Sequence, residues 1–168
     1  RLLSAGVEVK FDSRDYVYNP LSGILYRTSY SVGQKKIYNA SAFAGQDIPS
    51  DFTVQKGVVD LDFYYSFFRR QSSLVGVHGV EIRSPRFETS DLFRLGGINS
   101  VRGYREGQFL ASRTAWSNIE LRYSLTRRSF AAVFYDMGYY RKPADDFFNV
   151  PAQEGFIYGY GLGIRVET

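Results

Sequence analysis

From Arg113 to Leu125 the odd positions include Ala115, Ile119, Leu121, Tyr123 and Leu125, while the even ones run Thr114, Trp116, Asn118, Glu120, Arg122 and Ser124. A helix would mix the two sets on every face, whereas an extended strand sends one set to each side, so the spacing predicts a strand with an apolar and a polar face. The same division recurs along the chain. Residues 4–12 set Ala5, Val7, Val9 and Phe11 against Glu8, Lys10 and Asp12, and 23–33 set Ile24, Tyr26, Tyr30 and Val32 against Arg27 and Ser29. Residues 53–69 place Val59, Leu61, Phe63, Tyr65 and Phe67 opposite Asp60, Asp62, Tyr64 and Ser66. Residues 73–83 oppose Leu74, Val80 and Ile82 to Glu81 and Arg83, and 129–140 oppose Ala131, Val133, Tyr135 and Met137 to Asp136. The last run, 156–168, sets Tyr158, Tyr160, Leu162, Ile164 and Val166 against Gly159, Gly161, Gly163, Arg165 and Glu167. These seven segments predict an all-β, antiparallel chain.

The connections differ in length. Tight turns fall at 69–72 and 126–129 and a compact one at 13–23, whereas 34–52, 85–107 and 141–154 are long loops. Short turns at one end and long loops at the other characterise a transmembrane β-barrel, with the polar strand faces toward its lumen. A soluble antiparallel sheet with one wetted face is the rival, but it has no reason to alternate its loops this way. No run approaches the roughly 18 to 20 apolar residues of a spanning helix. The mean hydropathy of −0.26 looks soluble, yet a barrel faces lipid only at alternate positions and averages to such a value. Fourteen Tyr and 14 Phe are ample for interfacial girdles. Seven strands do not close a bacterial single-chain barrel, which has an even number from eight upward. Bare edges at 4–12 and 156–168 would leave backbone groups unpaired in hydrocarbon. The chain is therefore expected to be part of a larger barrel.

Composition removes much chemistry. There is no Cys, hence no disulfide, thiolate metal site or cysteine nucleophile. Neither a Gly-x-Ser-x-Gly elbow nor a phosphate-cradling Gly-Lys-Ser/Thr loop occurs; no enzyme activity, cofactor or metal is expected. The lone His78, on the nominally apolar side of 73–83, reads as a structural histidine near an interface, with nothing clustered around it. Arg69-Arg70 and Arg127-Arg128 share the short-turn end, where snorkelling to anionic headgroups explains them, so nucleic acid is not invoked. Asn39-Ala40-Ser41 fits a glycosylation acceptor that carries no meaning in a bacterial membrane. Gly159, Gly161 and Gly163 alternate along a strand with no helix following, and are expected to thin the lumen wall.

The loop 85–107 is longer than the roughly 12 to 15 residues beyond which connections are usually functional or disordered. Leu92, Phe93, Leu95, Ile98, Val101, Tyr104 and Phe109 make it too apolar for a solvated loop, so it should fold back into the lumen as a compact hairpin. Gly96, Gly97, Gly103 and Gly107 permit the positive φ and close approach this requires. Arg102 at the tip then needs an anion, because a shielded, unpaired charge is costly. Glu120 and Asp136, both on polar strand faces, are the candidates. Asp136 is the stronger one: a bidentate contact there would fix the loop tip.

The stretch "LFRLGGINSVRGYREGQ" resembles the lumen-loop motif of the superfamily of BamA, TamA and FhaC-type two-partner-secretion transporters, and "VFYDMGY" at 133–139 resembles its acidic strand motif. "SRDYVYNPLSG" and "GYGLGIRVET" are similar to other stretches of the same barrel, so the resemblance covers essentially the whole chain. It implies that Gly96, Gly97, Val101, Arg102, Gly103 and Tyr104 form the lumen-loop motif, with Asp136 and Glu120 as anchoring acids. It further implies a sixteen-stranded barrel preceded by POTRA domains, of which this chain is about strands eight to fourteen. The function implied is insertion of outer-membrane proteins or translocation of proteins across the outer membrane. The alternative is a passive pore or structural barrel. The partners implied are outer-membrane lipid, unfolded or secreted protein substrates, and the rest of the barrel with its POTRA domains or accessory subunits; the setting is a bacterial outer membrane in preference to an organellar one.

Overall fold

The structure, a computed structural model, describes residues 2–36, 51–144 and 150–166. Among these residues the strands are β1 (Leu2–Asp12), β2 (Gly23–Lys36), β3 (Asp51–Phe68), β4 (Gln71–Arg83), β5 (Phe93–Leu95), β6 (Phe109–Ala111), β7 (Arg113–Ser124), β8 (Phe130–Lys142) and β9 (Gln153–Arg165). Seven form one antiparallel sheet in the order β1-β2-β3-β4-β7-β8-β9, and β5 pairs with β6 as a separate two-stranded ribbon. The sheet is open, with β1 and β9 at its edges. Among the described residues no helix is long and apolar enough to cross a membrane, which does not bear on crossing by strands.

One face of the sheet is covered by the long loop; we call it the inner face. The other carries continuous apolar stripes in the open, among them Val7, Phe11, Leu61, Phe63, Leu121, Val133 and Leu162, the last 82% exposed. Water-soluble monomers rarely expose contiguous apolar patches beyond a few hundred Å². An unbroken belt of this kind instead matches the lipid-facing side of a barrel wall.

The period-two segments are strands as predicted, with longer ladders. Gln34, Lys35 and Lys36 pair with Thr53, Phe52 and Asp51, and β9 begins at Gln153 rather than 156. Ladder hydrogen bonds come from the backbone, so pairing continues past the point where side-chain alternation fades. The Asn39 acceptor, most of the 34–52 loop and the Glu167 end of the last predicted strand lie outside the described residues.

The faces of β4 correct the sequence pattern. Leu74, Val80 and Ile82 are buried on the inner face, and it is Val75 and Val77 that are exposed among the outer stripes. Alternation reads one apolar face as the lipid side, but here an apolar loop covers the inner wall, so both faces of this strand are greasy. His78 follows the same correction: it faces inward, with Nδ1 3.1 Å from Asp60 and Nε2 3.5 Å from Asp62. Its ring stacks on Trp116 at 4.9 Å. The inner core is thus a cluster of Val80, Ile82, Leu95, Val101, Trp116 and Ile157, joining loop to wall.

Candidate functional site: the loop tip and its acids

Strand register sets the wall under the loop in three cross-strand rows. Trp116, Gly138 and Ile157 form one, Asn118, Asp136 and Gly159 the next, and Glu120, Phe134 and Gly161 the third. All nine are on the inner face by parity. Each row therefore offers a different surface: apolar with a gap, then polar with a gap, then an acid beside an aromatic ring.

The loop is built to meet these rows. The β5–β6 ribbon pairs Phe93 with Ala111 and Leu95 with Phe109. Its residues bury Leu95 fully and stack Phe93 on Trp116 at 5.5 Å. Beyond the ribbon, Gly96, Gly97, Gly103 and Gly107 have φ from +64° to +111°. At Gly96 the requirement is double, since an added Cβ would also sit 2.8 Å from the Arg105 carbonyl oxygen. A tight turn follows, in which Gly97 N–H donates to Val101 O at 3.1 Å and Gly96 N–H to Ser100 Oγ at 2.9 Å. This turn directs Val101 and Arg102 at the wall.

Val101 is fully buried, its Cγ2 2.8 Å from where a Cβ on Gly138 would lie. A Cβ on Gly159 would overlap the Arg102 carbonyl, and one on Gly161 would lie 3.0 Å from the Phe134 ring. Gly138 and Gly159 make the hollow in which the tip rests, and Gly161 leaves room for the Phe134 ring. Gly163, expected to serve the same purpose, faces open space.

Asp136 has no exposed surface. Its Oδ2 accepts hydrogen bonds from Arg102 N–H at 3.0 Å and Nε at 2.7 Å, and its Oδ1 accepts from Arg102 Nη2 at 2.6 Å and Asn118 Nδ2 at 2.8 Å. Arg102 Nη1 donates to Glu120 Oε1, whose partner oxygen accepts from Arg122 Nε at 2.6 Å. The Arg102 guanidinium lies 3.8 Å over the Phe134 ring, and that of Arg122 4.5 Å over Phe130. Two guanidinia and two carboxylates balance to zero charge, so a desolvated cluster carries no net penalty of unpaired charge. The fork geometry satisfies a carboxylate from two directions at once.

Tyr104 lies at the side of this cluster, its ring edge-on to Phe109 at 5.1 Å and its hydroxyl 3.4 Å from the Tyr158 N–H. Ile98, counted among the loop's apolar residues, is 79% exposed and packs on nothing comparable. Sequence reasoning missed Asn118, whose Nδ2 also donates to Ser100 O at 2.6 Å. Its parity with Glu120 was the available signal. It also missed Lys35, which holds Glu88 and Asp91 at 2.8 and 2.7 Å and ties the descending limb of the loop to β2. No periodicity could have joined the end of β2 to a separate loop in that way.

Comparison with known proteins bears on the family of the chain. The chain is 34% identical over 101 residues to Outer envelope protein 80, chloroplastic, of Arabidopsis thaliana; the match takes in 57% of this chain and 13% of that protein. The chain thus spans a small part of the curated relative it matches. Residues 1–168 match the Omp85 superfamily domain from end to end. An open antiparallel sheet with an apolar outer belt, matched along its whole length, this chain belongs to the Omp85 superfamily.

Proposed function

We propose that this chain forms an arc of an outer-membrane barrel, about strands eight to fourteen, that inserts outer-membrane proteins or moves proteins across that membrane. Omp85 members are transport and assembly barrels rather than enzymes. Loop 85–107 acts inside the lumen as a fixed plug, with Gly96, Gly97, Val101, Arg102, Gly103 and Tyr104 as its seating motif and Asp136 and Glu120 as its anchors. The observation that carries this is the fully buried Asp136 carboxylate, which takes three of its four hydrogen bonds from Arg102 alone. The substrates are unfolded or secreted polypeptides, and the remaining partners are the rest of the barrel with POTRA domains or accessory subunits. The plant relative, by its name, extends the setting from a bacterial outer membrane to a chloroplast envelope.

The test is Arg102→Ala in full-length protein, expressed in cells depleted of the native copy. Assembly or secretion of client proteins should fall while the variant still reaches the membrane. Wild-type transport by that variant would contradict the plug; ion conductance with no change in client transport after depletion would favour a passive pore.

A further inference from the structure

At the opposite end from the long loops, three tight connections surround a cavity of about 390 Å³. Arg69, Arg70 and Arg127 line it, with Asn19, Asp15 and Leu125. The turns are joined rather than merely adjacent: Ser124 N–H donates to Arg70 O at 2.8 Å, and Asn19 Nδ2 donates to Ser124 Oγ at 3.0 Å. Arg127 and Arg128 lie over the rings of Tyr16 and Tyr18, at 5.9 and 5.2 Å. Stacking of this kind orients a guanidinium at the rim and leaves its charge in place.

Asp15 is the sole carboxylate among the described residues lining the cavity, and its Oδ1 is occupied by the N–H groups of Leu21 and Ser22 at 2.9 and 3.1 Å. Positive charge is therefore in excess there. An anion would balance it. The cavity also borders Leu125, which continues the exposed stripe of Leu121 and Tyr123. An anion seated among the arginines could thus lay acyl chains along β7.

We infer that this cavity binds the phosphate of an anionic phospholipid headgroup, such as phosphatidylglycerol, in the leaflet reached by the short turns. The guanidinia recognise the phosphate. The inference rests on the membrane placement proposed above. It would fix the height of this end of the barrel against the bilayer.

The test uses full-length protein reconstituted in phosphatidylcholine vesicles with and without phosphatidylglycerol. Insertion is scored first by protease protection, and lipid retained after detergent extraction is counted by native mass spectrometry. Wild-type protein should retain phosphatidylglycerol over phosphatidylcholine. Removing one such charge near a membrane surface should weaken retention roughly fivefold, so Arg70→Gln with Arg127→Gln should weaken it roughly twenty-fivefold, and Arg69→Gln alone about fivefold. Arg113→Gln, at the other end beside Glu81, should leave it unchanged. Equal retention of both lipids, or unaltered retention by the double variant, would overturn the site. Retention of inorganic phosphate by the reconstituted protein, with no preference for phosphatidylglycerol over phosphatidylcholine, would overturn the lipid as its source. If the arginines instead seat an acidic protein partner, lipid retention would show no preference, and the lipid site would fall in the same way. Failure of the wild-type protein to insert would sink the membrane placement and this site together, whereas insertion without preference would sink the site alone.

Discussion

Arg102 lies where a charge is most expensive to leave alone, against a carboxylate with no exposed surface. Replacing it with Ala leaves Asp136 and Glu120 facing each other's field without their shared cation, and breaking a buried pair in this way costs about 3 to 5 kcal/mol. Most of that cost should appear as undocking of the loop tip, because the sheet's ladders do not depend on it. Limited proteolysis within 96–107 is expected to accelerate strongly, with the strands still protected. Arg102→Lys should rescue little, since an ammonium cannot address both oxygens of Asp136 and reach Glu120 as a planar fork does. Gly159→Ala should give a similar loop phenotype with every charge intact, because the added methyl overlaps the Arg102 carbonyl. Unchanged proteolysis in Gly159→Ala would show that the tip does not rest in that hollow.

At the scale of elements, the β5–β6 ribbon docks by burial. Leu95 has no exposed surface, and truncating such a side chain to Ala costs about 2 to 5 kcal/mol. Hydrogen exchange at Phe93–Leu95 and Phe109–Ala111 should then rise in Leu95→Ala while β8 keeps its protection; parallel loss in β8 would mean that ribbon and wall are one cooperative unit. The strands could be read from alternation because lipid and lumen impose opposite chemistry on neighbouring residues. Where that contrast fails, the pattern misleads. β4 meets lipid through Val75 and Val77 and the loop through Val80 and Ile82, so its inward face resembles an outward one. Alternation misplaces His78 for the same reason. The loop's arginine and the two acids stand out because a charge in an apolar loop demands a partner, whereas Asn118 and Lys35 act through register and loop proximity, which no local spacing encodes.

Over the whole of these 168 residues there is a single tryptophan, and it is buried on the inner face. In vesicles with brominated acyl chains, and with any tryptophan outside these residues replaced by Phe, Trp116 fluorescence should therefore be quenched little. A tryptophan placed by Leu121→Trp in a Trp116→Phe background, on the outer stripe, should be quenched strongly. The reverse order would mean that the faces are assigned backwards. Leu121→Arg should cost about 2 to 4 kcal/mol if its position lies near the bilayer midplane, and less toward an interface; folding titrations in lipid read this out.

The central claim is that the loop tip sits on the inner wall; these 168 residues hold no cysteine, and with any cysteine elsewhere in the full-length protein replaced by serine the claim can be measured by cross-linking. Val101→Cys combined with Gly138→Cys brings two thiols together at a contact where a Cβ on Gly138 lies 2.8 Å from Val101 Cγ2. In membrane-embedded full-length protein, mild oxidation should form that disulfide readily. No cross-link, in protein where an adjacent-strand pair such as Thr114→Cys with Tyr140→Cys does cross-link, would contradict the account.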